Sequence, residues 1–406
     1  MPLKIKSFRT ALFLTMSLSV LIPLILLSII TSSLINAKID SLLEQDLLRY
    51  HAETEVIYNN KLNSLLDAGI VLSKNPQFVE SISSGKADSA RLLLQNLLEI
   101  QGVDIATVAN ASGIVIVRAN NGNIGDSLEL NGLVEYAMMS GIPAASTEII
   151  SPAELARESE VLAASAKIRR IPTLFSVQDG TSYQESGMVL VAVIPIMDDE
   201  TPRGAIVLAN LLNRDFEIPD KVKDTASIES TIYQHDVAIS TTAKTQKDNR
   251  YVGTLLAGDV VKRTLMDGDI FLGRVWSVSA WGRASYKPIQ NFRGEVVGAT
   301  SVWVQEDDFR SSAFFFRQRE ISQIIIIITA FMASAILVSS LILARGLSKP
   351  IREFIKSAEE LGKGNLYQGV KVDSYEEINT LAKIYNMKIR DLRKLMKQES
   401  PPKKPK

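Results

Sequence analysis

Two long apolar runs without a single charge, Ala11 to Ala37 and Ile321 to Ala344, lie near the two ends of the chain. Each exceeds the roughly 20 residues that a helix needs to cross a bilayer. Between them lies a stretch of ordinary globular composition, and after the second comes a short charged segment. This layout predicts one large domain on one side of a membrane and a small helical piece on the other.

The flanking charges predict the orientation. Lys4, Lys6 and Arg9 precede the first run with no acid among them, and Arg345, Lys349, Arg352 and Lys356 follow the second. By the excess of cations on the cytoplasmic side, both termini are expected inside the cell and the middle outside, in a multi-pass protein of the cell (inner) membrane. Arg310, Arg317 and Arg319 run against that pattern. A cleaved signal sequence fits less well, because the first run is long and no small-residue cleavage site follows it.

Lys and Arg number 45 and Asp and Glu 45, so the formal charge is zero and no nucleic-acid footprint is expected. The chain has no cysteine, which removes disulfides, thiolate catalysis and thiolate metal sites. No cofactor and no metal are expected; the acidic turns Asp198-Asp199-Glu200 and Asp267-Gly268-Asp269 read as solvated loops. No nucleophile and base pair stands out, so the chain is not expected to be an enzyme.

After the first run, Ile39, Leu43, Leu47, Tyr50, Ile57, Leu62 and Leu65 recur at helical spacing, which predicts a long helix, punctuated by Asn75-Pro76 and Ser83-Ser84-Gly85. From about Gly102 the period changes to two. Hairpins are expected at Asp104–Asn110 with Ile114–Asn120, and at Met188–Met197 with Arg203–Leu212. Further strands are expected at Ser230–Thr241, Phe271–Val278, Trp281–Gln290 and Val296–Val304. An internal echo links Pro195-Ile196…Gly204-Ala205 to Pro288-Ile289…Gly298-Ala299. It predicts two copies of one module.

The run Pro288-Ile289…Gly294…Val297-Gly298 resembles the closing hairpin of Cache domains, extracytoplasmic PAS-like sensors of receptors. Two modules behind one helix resemble the double Cache arrangement. Ser151-Pro152-Ala153-Glu154-Leu155-Ala156-Arg157-Glu158 and Leu211-Leu212-Asn213-Arg214-Asp215 resemble a subgroup attached to histidine kinases and chemoreceptors, which places the chain in two-component signalling or chemotaxis. The resemblance implies a small-molecule pocket, usually in the membrane-distal module.

The segment after the second run resembles a HAMP domain. Pro350, Gly364-Asn365-Leu366, Glu376-Glu377-Ile378 and Tyr385-Asn386 match its motifs. Pro350, Leu366, Glu377, Asn386 and Lys388 are therefore expected to carry the signal relay. Lys388 departs from the family, which has a methionine there, and falls in the stripe Ile378, Leu381, Tyr385, Leu392, Leu395 expected to face a core.

The expected fold is thus α+β: two tandem PAS-like antiparallel-sheet modules on a long helix, two transmembrane helices and a cytoplasmic HAMP-type helix pair. The boundaries are a cytoplasmic start (1–10), transmembrane helix 1 (11–37) and a double Cache sensor (38–309), then transmembrane helix 2 (321–344), HAMP (345–397) and a Pro/Lys tail (398–406). The sensor divides into a long helix (38–100), a distal module (101–213) and a proximal module (214–306). Arg118, Arg169, Arg170 and Tyr183 are the expected ligand-binding residues, their cations suited to a carboxylate. A denser cluster, Arg274, Trp276, Trp281, Arg283 and Tyr286, reads as structural.

The expected function is a transmembrane signal-transduction receptor, acting as a homodimer in the lipid bilayer. It would bind a small extracellular or periplasmic ligand and relay the change through HAMP. With its two histidines, His51 and His235, both in the sensor region, output is expected from a separate cytoplasmic kinase or signalling protein, or from a longer chain of which this is a piece. The alternative is a membrane-tethered solute-binding protein serving a transporter.

Overall fold

The computed structural model describes residues 8–398 except 129, 178–179, 199–200, 246, 278–279, 306–312, 367–368 and 373–375. Lys4, Lys6, Asp199, Glu200, Val278, Asp307, Asp308, Arg310 and the tail beyond Gln398 lie outside the described residues. The chain forms two compact units, Ile39–Phe314 and Met1–Lys38 with Phe315–Lys406.

In the unit Ile39–Phe314, helix α1 (Phe8–Ser73) buries Leu43, Leu47, His51, Thr54, Tyr58, Leu65, Ala68 and Leu72. Their three- and four-residue spacing is one helical face. The expected break is built by Asn75, whose side chain accepts from the N–H groups of Gln77 and Phe78 and starts α2 (Pro76–Ser83). Helix α3 (Ala87–Gln101) then ends on left-handed Gly102.

Strands β1 (Ile105–Asn110) and β2 (Val115–Arg118) form the first expected hairpin. Beyond it come α4 (Leu133–Ser140), β3 (Ala144–Ile150), α5 (Pro152–Glu158), α6 (Glu160–Ala166) and the two-residue strands β4 (Ile168–Arg169) and β5 (Tyr183–Gln184). Sequence periodicity assigned no element between β2 and β5. In β3 the buried residues include Ser146, Thr147 and Glu148, so no apolar alternation marks the strand. Strands β6 (Gly187–Asp198) and β7 (Thr201–Leu211) complete the first sheet, ordered β2-β1-β7-β6-β3. Strand β6 is buried on both faces. Met188, Leu190, Ala192 and Ile194 pack with α1 and α3, and Val189, Val191 and Val193 with α4 and α5. Helix α1 approaches so closely that a Cβ on Gly69 would lie 2.2 Å from Ile194 Cδ1.

Helix α7 (Glu217–Ala226) leads to β8 (Glu229–Gln234) and β9 (Val237–Thr241). A short helix α8 (Gly258–Val260) and one π-helical turn (Val261–Met266) precede β10 (Phe271–Ser277), β11 (Ala280–Gln290) and β12 (Val296–Gln305). The second sheet is ordered β10-β11-β12-β8-β9. Numbered in chain order within each sheet, both read 2-1-5-4-3, and every neighbouring pair is antiparallel. The echo seen in the sequence falls at equivalent places. Ile196 pairs with Gly204 and Ile289 with Gly298, and a bulge follows each isoleucine. A Cβ on Gly204 would meet Ala109 O at 2.5 Å, and one on Gly298 would meet Tyr233 O at 2.0 Å. Both glycines therefore permit a close backbone approach.

Register also resolves the aromatic cluster. Trp276 opposes Trp281 and Arg274 opposes Arg283, so these four share a face. Tyr286 opposes Phe271 on the other face and is buried beside Tyr233.

The other unit holds the start of α1, helix α9 (Ala313–Gly362) and helix α10 (Glu376–Gln398). The stretches Phe13–Leu34 and Gln323–Gly362 are long and apolar enough to cross a membrane. Helix α9 continues through Pro350 without a break. Asn386 accepts from Val370 N–H at 2.8 Å and donates to Val370 O at 2.7 Å, which fixes the connector on α10. Arg393 Nε donates to Leu366 O at 3.1 Å, and the Phe354 and Tyr385 rings meet edge-on. Glu377 is exposed in the first turn of α10. Lys388 is exposed, as are Leu381, Leu392 and Leu395, whereas Ala382 and Ile389 are buried. The face buried within the single chain is thus one residue, about 100°, from the stripe counted in the sequence.

Candidate ligand pocket

Arg118 closes β2 and is 1% exposed. Its Nε donates to Glu158 Oε1 at 2.7 Å, Nη1 to Asp126 Oδ1 at 2.7 Å and to Asn123 O at 2.8 Å, and Nη2 to Asp126 Oδ2 at 2.8 Å. Glu158 ends α5, a helix started by a Ser151–Glu154 capping box with Pro152 in its first turn, and it also accepts from Thr107 Oγ1 at 2.8 Å. Burial works against the charge on Arg118, but the bonds from Asp126 and Glu158 outweigh it and raise its pKa. The guanidinium holds Asp126 below the usual carboxylate range, while burial pushes Glu158 up against the pull of Arg118. With four of its five N–H bonds engaged, Arg118 is a clamp that fastens α5 and the loop after β2 onto the sheet. It is not disposed to take a ligand carboxylate, which corrects the sequence-based expectation. The cavity it borders with Ile105, Leu128, Ile150 and Val191 measures about 20 Å³, room for about one water.

The other expected ligand residues lie elsewhere. Arg169 and Tyr183 are cross-strand partners on β4 and β5, both exposed, with Lys167 Nζ 5.0 Å from the centre of the Tyr183 ring. Arg170 Nη2 donates to Asp236 Oδ2 at 3.0 Å and ties this ribbon to the β8–β9 turn. Arg169, Arg170 and Tyr183 line neither this cavity nor the larger one.

That larger cavity, of about 370 Å³, lies between the two sheets. Helix α1 supplies Glu55, Tyr58, Asn59 and Leu62, a set at i, i+3, i+4 and i+7 that shares one face. Strand β3 supplies Ala145, Ser146 and Thr147, and β11 with its turn supplies Lys287 to Phe292. Lys287 Nζ donates to Glu55 Oε2 at 2.5 Å. Tyr58 bonds Thr147 Oγ1 through its hydroxyl at 2.7 Å, and burial pushes its phenol well above the ordinary range.

Behind the wall stands His51, 4% exposed, its Nε2 2.8 Å from Thr300 Oγ1 and its Nδ1 3.0 Å from Ser285 Oγ. Burial first, and Lys287 second, push its pKa down to about 4. The imidazole is therefore neutral near pH 7. Glu148 on β3 is fully buried and accepts from Asn131 Nδ2 at 2.6 Å, Ser146 Oγ at 2.7 Å and Phe292 N–H at 2.8 Å. It latches the first sheet to the turn of the second. Arg293 Nε to Asn131 O at 2.9 Å and the Tyr136–Phe292 ring pair reinforce the latch. Glu55, Asn59, Lys287 and Gln290 carry no motif, and the helical stripe that runs through Ile57 and Leu62 gave no sign of them.

Residues 210–313, from β7 through the whole second sheet, match the family model described as Single cache domain 3. No curated protein matches the chain. Similar solved structures include the periplasmic domain of Vibrio cholerae LuxQ, 10% identical, covering 64% of this chain and 100% of that one at a TM-score of 0.38. The sensor domain of the V. cholerae histidine kinase DctB is 12% identical, with 66% and 98% covered at 0.38. An extracellular ligand binding receptor from Desulfohalobium retbaense is 13% identical, with 64% and 39% covered at 0.36.

Proposed function

From a chain whose residues 210–313 match the model of a single Cache domain, we propose a transmembrane signal-transduction receptor that binds a small extracytoplasmic solute. The first sheet, with the same 2-1-5-4-3 order, is the second Cache module of a double sensor. The observation that carries the reading is α1. This one helix holds an apolar stretch long enough for a membrane and, further along, Leu47, His51, Glu55 and Tyr58 packed on the sheets. A solute that changes the spacing of the sheets would act on that helix. It can do so only by its difference in affinity between two arrangements.

Rows of exposed apolar side chains, Leu26, Leu27, Ile29 and Ile30 on α1 and Ile326, Ile327, Ile328 and Phe331 on α9, suit lipid rather than water. The segment 345–397 is read as a HAMP-type relay in a homodimer, with Pro350, Leu366, Glu377 and Asn386 in the roles that the resemblance assigns. The chain has no catalytic role in this reading and acts on a cytoplasmic kinase or signalling protein.

Because the chain has no cysteine, single cysteines test both parts. Asp224→Cys should react with a membrane-impermeant maleimide on intact cells, and Lys394→Cys only after permeabilisation. Leu392→Cys should form a disulfide between protomers at a rate that an extracellular solute alters. Labelling of Lys394→Cys from outside would overturn the topology, and the absence of any Leu392→Cys crosslink would overturn the dimeric relay.

A further inference from the structure

We propose that the cavity between the two sheets is a binding site for a small zwitterion, a solute with one anionic and one cationic group joined by a short aliphatic body. The proposal deepens the receptor reading and rests on it for the consequence of binding, but not for the site.

The walls decide the chemistry. The lining carries one carboxylate, Glu55, and one ammonium, Lys287, in contact at 2.5 Å with side chains 47% and 36% exposed. A half-exposed pair of this kind contributes little to stability, so a ligand exchanges into it at low cost. A simple anion seated beside Lys287 would also face Glu55, and a simple cation beside Glu55 would face Lys287. A zwitterion meets both with charge-assisted hydrogen bonds and leaves neither charge desolvated without a partner. Asn59 and Gln290 line the same space, and their side-chain amides have no hydrogen-bond partner among the described residues. They supply donors and acceptors for the remaining polar atoms. Leu62, Pro288, Ile289 and Phe292 provide apolar surface for a short hydrocarbon body. A volume of about 370 Å³ sits at the small end of the range for ligand pockets, about 300–1,000 Å³. The cavity beside Arg118 offers neither the room nor the exchangeable charges.

The placement also couples binding to both sheets. Glu55 belongs to α1, Thr147 to the first sheet and Lys287 to the second. Separating the Glu55–Lys287 pair around a ligand loosens a direct tie between α1 and β11.

The test is calorimetric titration of the full chain in nanodiscs with glycine, β-alanine and γ-aminobutyrate, and with propionate and propylamine as single-charge probes. At least one zwitterion should bind tenfold or more tightly than both single-charge probes. Lys287→Met and Asn59→Leu should each weaken that binding tenfold or more. Asn59→Leu, at an exposed position, should keep the parent melting temperature, which separates a lost site from a lost fold. No zwitterion binding at millimolar concentration, equal affinity for propionate, or affinity unmoved in both variants would overturn the proposal. Binding that follows these rules while the Leu392→Cys crosslinking rate stays constant supports the site and removes the receptor reading. A solute-dependent crosslinking rate that persists unchanged in Lys287→Met keeps the receptor and places its ligand elsewhere, against the proposal.

Discussion

The backbone N–H of Phe292 donates to Glu148 Oε1 at 2.8 Å, so a carboxylate on the first sheet terminates the turn between β11 and β12 of the second. Asn131 and Ser146 complete its coordination, and the group is fully buried. Two sheet domains that could hinge freely on α1 are thus tied at a second point.

Removing that acceptor should loosen the tie. Glu148→Ala leaves three donors without their partner and should cost about 2–4 kcal/mol, seen as a lower melting temperature of the full chain in detergent. It should also increase proteolysis at the Asn291–Gly294 turn. A melting temperature equal to the parent's would show that the latch contributes nothing.

The clamp at Arg118 makes a contrasting prediction. Arg118→Ala leaves Glu158 buried, and breaking a buried ion pair costs about 3–5 kcal/mol. The variant should lose thermal stability strongly, whereas zwitterion affinity measured on its remaining folded fraction should stay within twofold. A stable Arg118→Ala protein would return the residue to the list of ligand contacts.

His51 sets a pH dependence with a definite sign. Its folded pKa of about 4 lies below the ordinary 6.5, so the unfolded chain binds the extra proton first as pH falls. The contribution to stability is complete above about pH 6.5, declines through the interval and is lost near pH 4, a change of about 3 kcal/mol. His235 is shifted in the same direction, chiefly by burial. The comparison must therefore be with His51→Gln, in which the fall in melting temperature between pH 6.5 and 4 should shrink. An identical pH profile in that variant would exclude His51 as the source.

In the helix pair after α9, Lys388 and Asn386 should behave differently. Lys388 is exposed, and surface replacements usually fall within about 0.5 kcal/mol, so Lys388→Met should leave the melting temperature nearly unchanged. Asn386→Ala removes both bonds to Val370 and should cost about 1–2 kcal/mol. A large stabilisation by Lys388→Met would put that side chain in an interface between protomers.

The local elements and their repetition are legible in the amino-acid order. The apolar runs, the stripe on α1, the Asn75-Pro76 break and the β6–β7 and β11–β12 hairpins are written in spacing and turn chemistry, which act over a few residues. The echo of Pro195-Ile196…Gly204 in Pro288-Ile289…Gly298 located equivalent bulges in both sheets. Tertiary structure alone decided the rest. Strand β3 carries buried Ser, Thr and Glu, and no period of two reveals it, because its polar groups are satisfied by residues far away in the chain. Arg118 looked available on a strand, yet Asp126 and Glu158 reach it from a loop and a helix that only the fold brings near. Within the single chain the buried face of α10 holds Ala382 and Ile389, one residue away from the stripe counted through the leucines. The cavity between the sheets joins Glu55 to Lys287 across 232 positions. Local pattern carries no information about such a pair, since burial and charge pairing are set by distance in space rather than by distance along the chain.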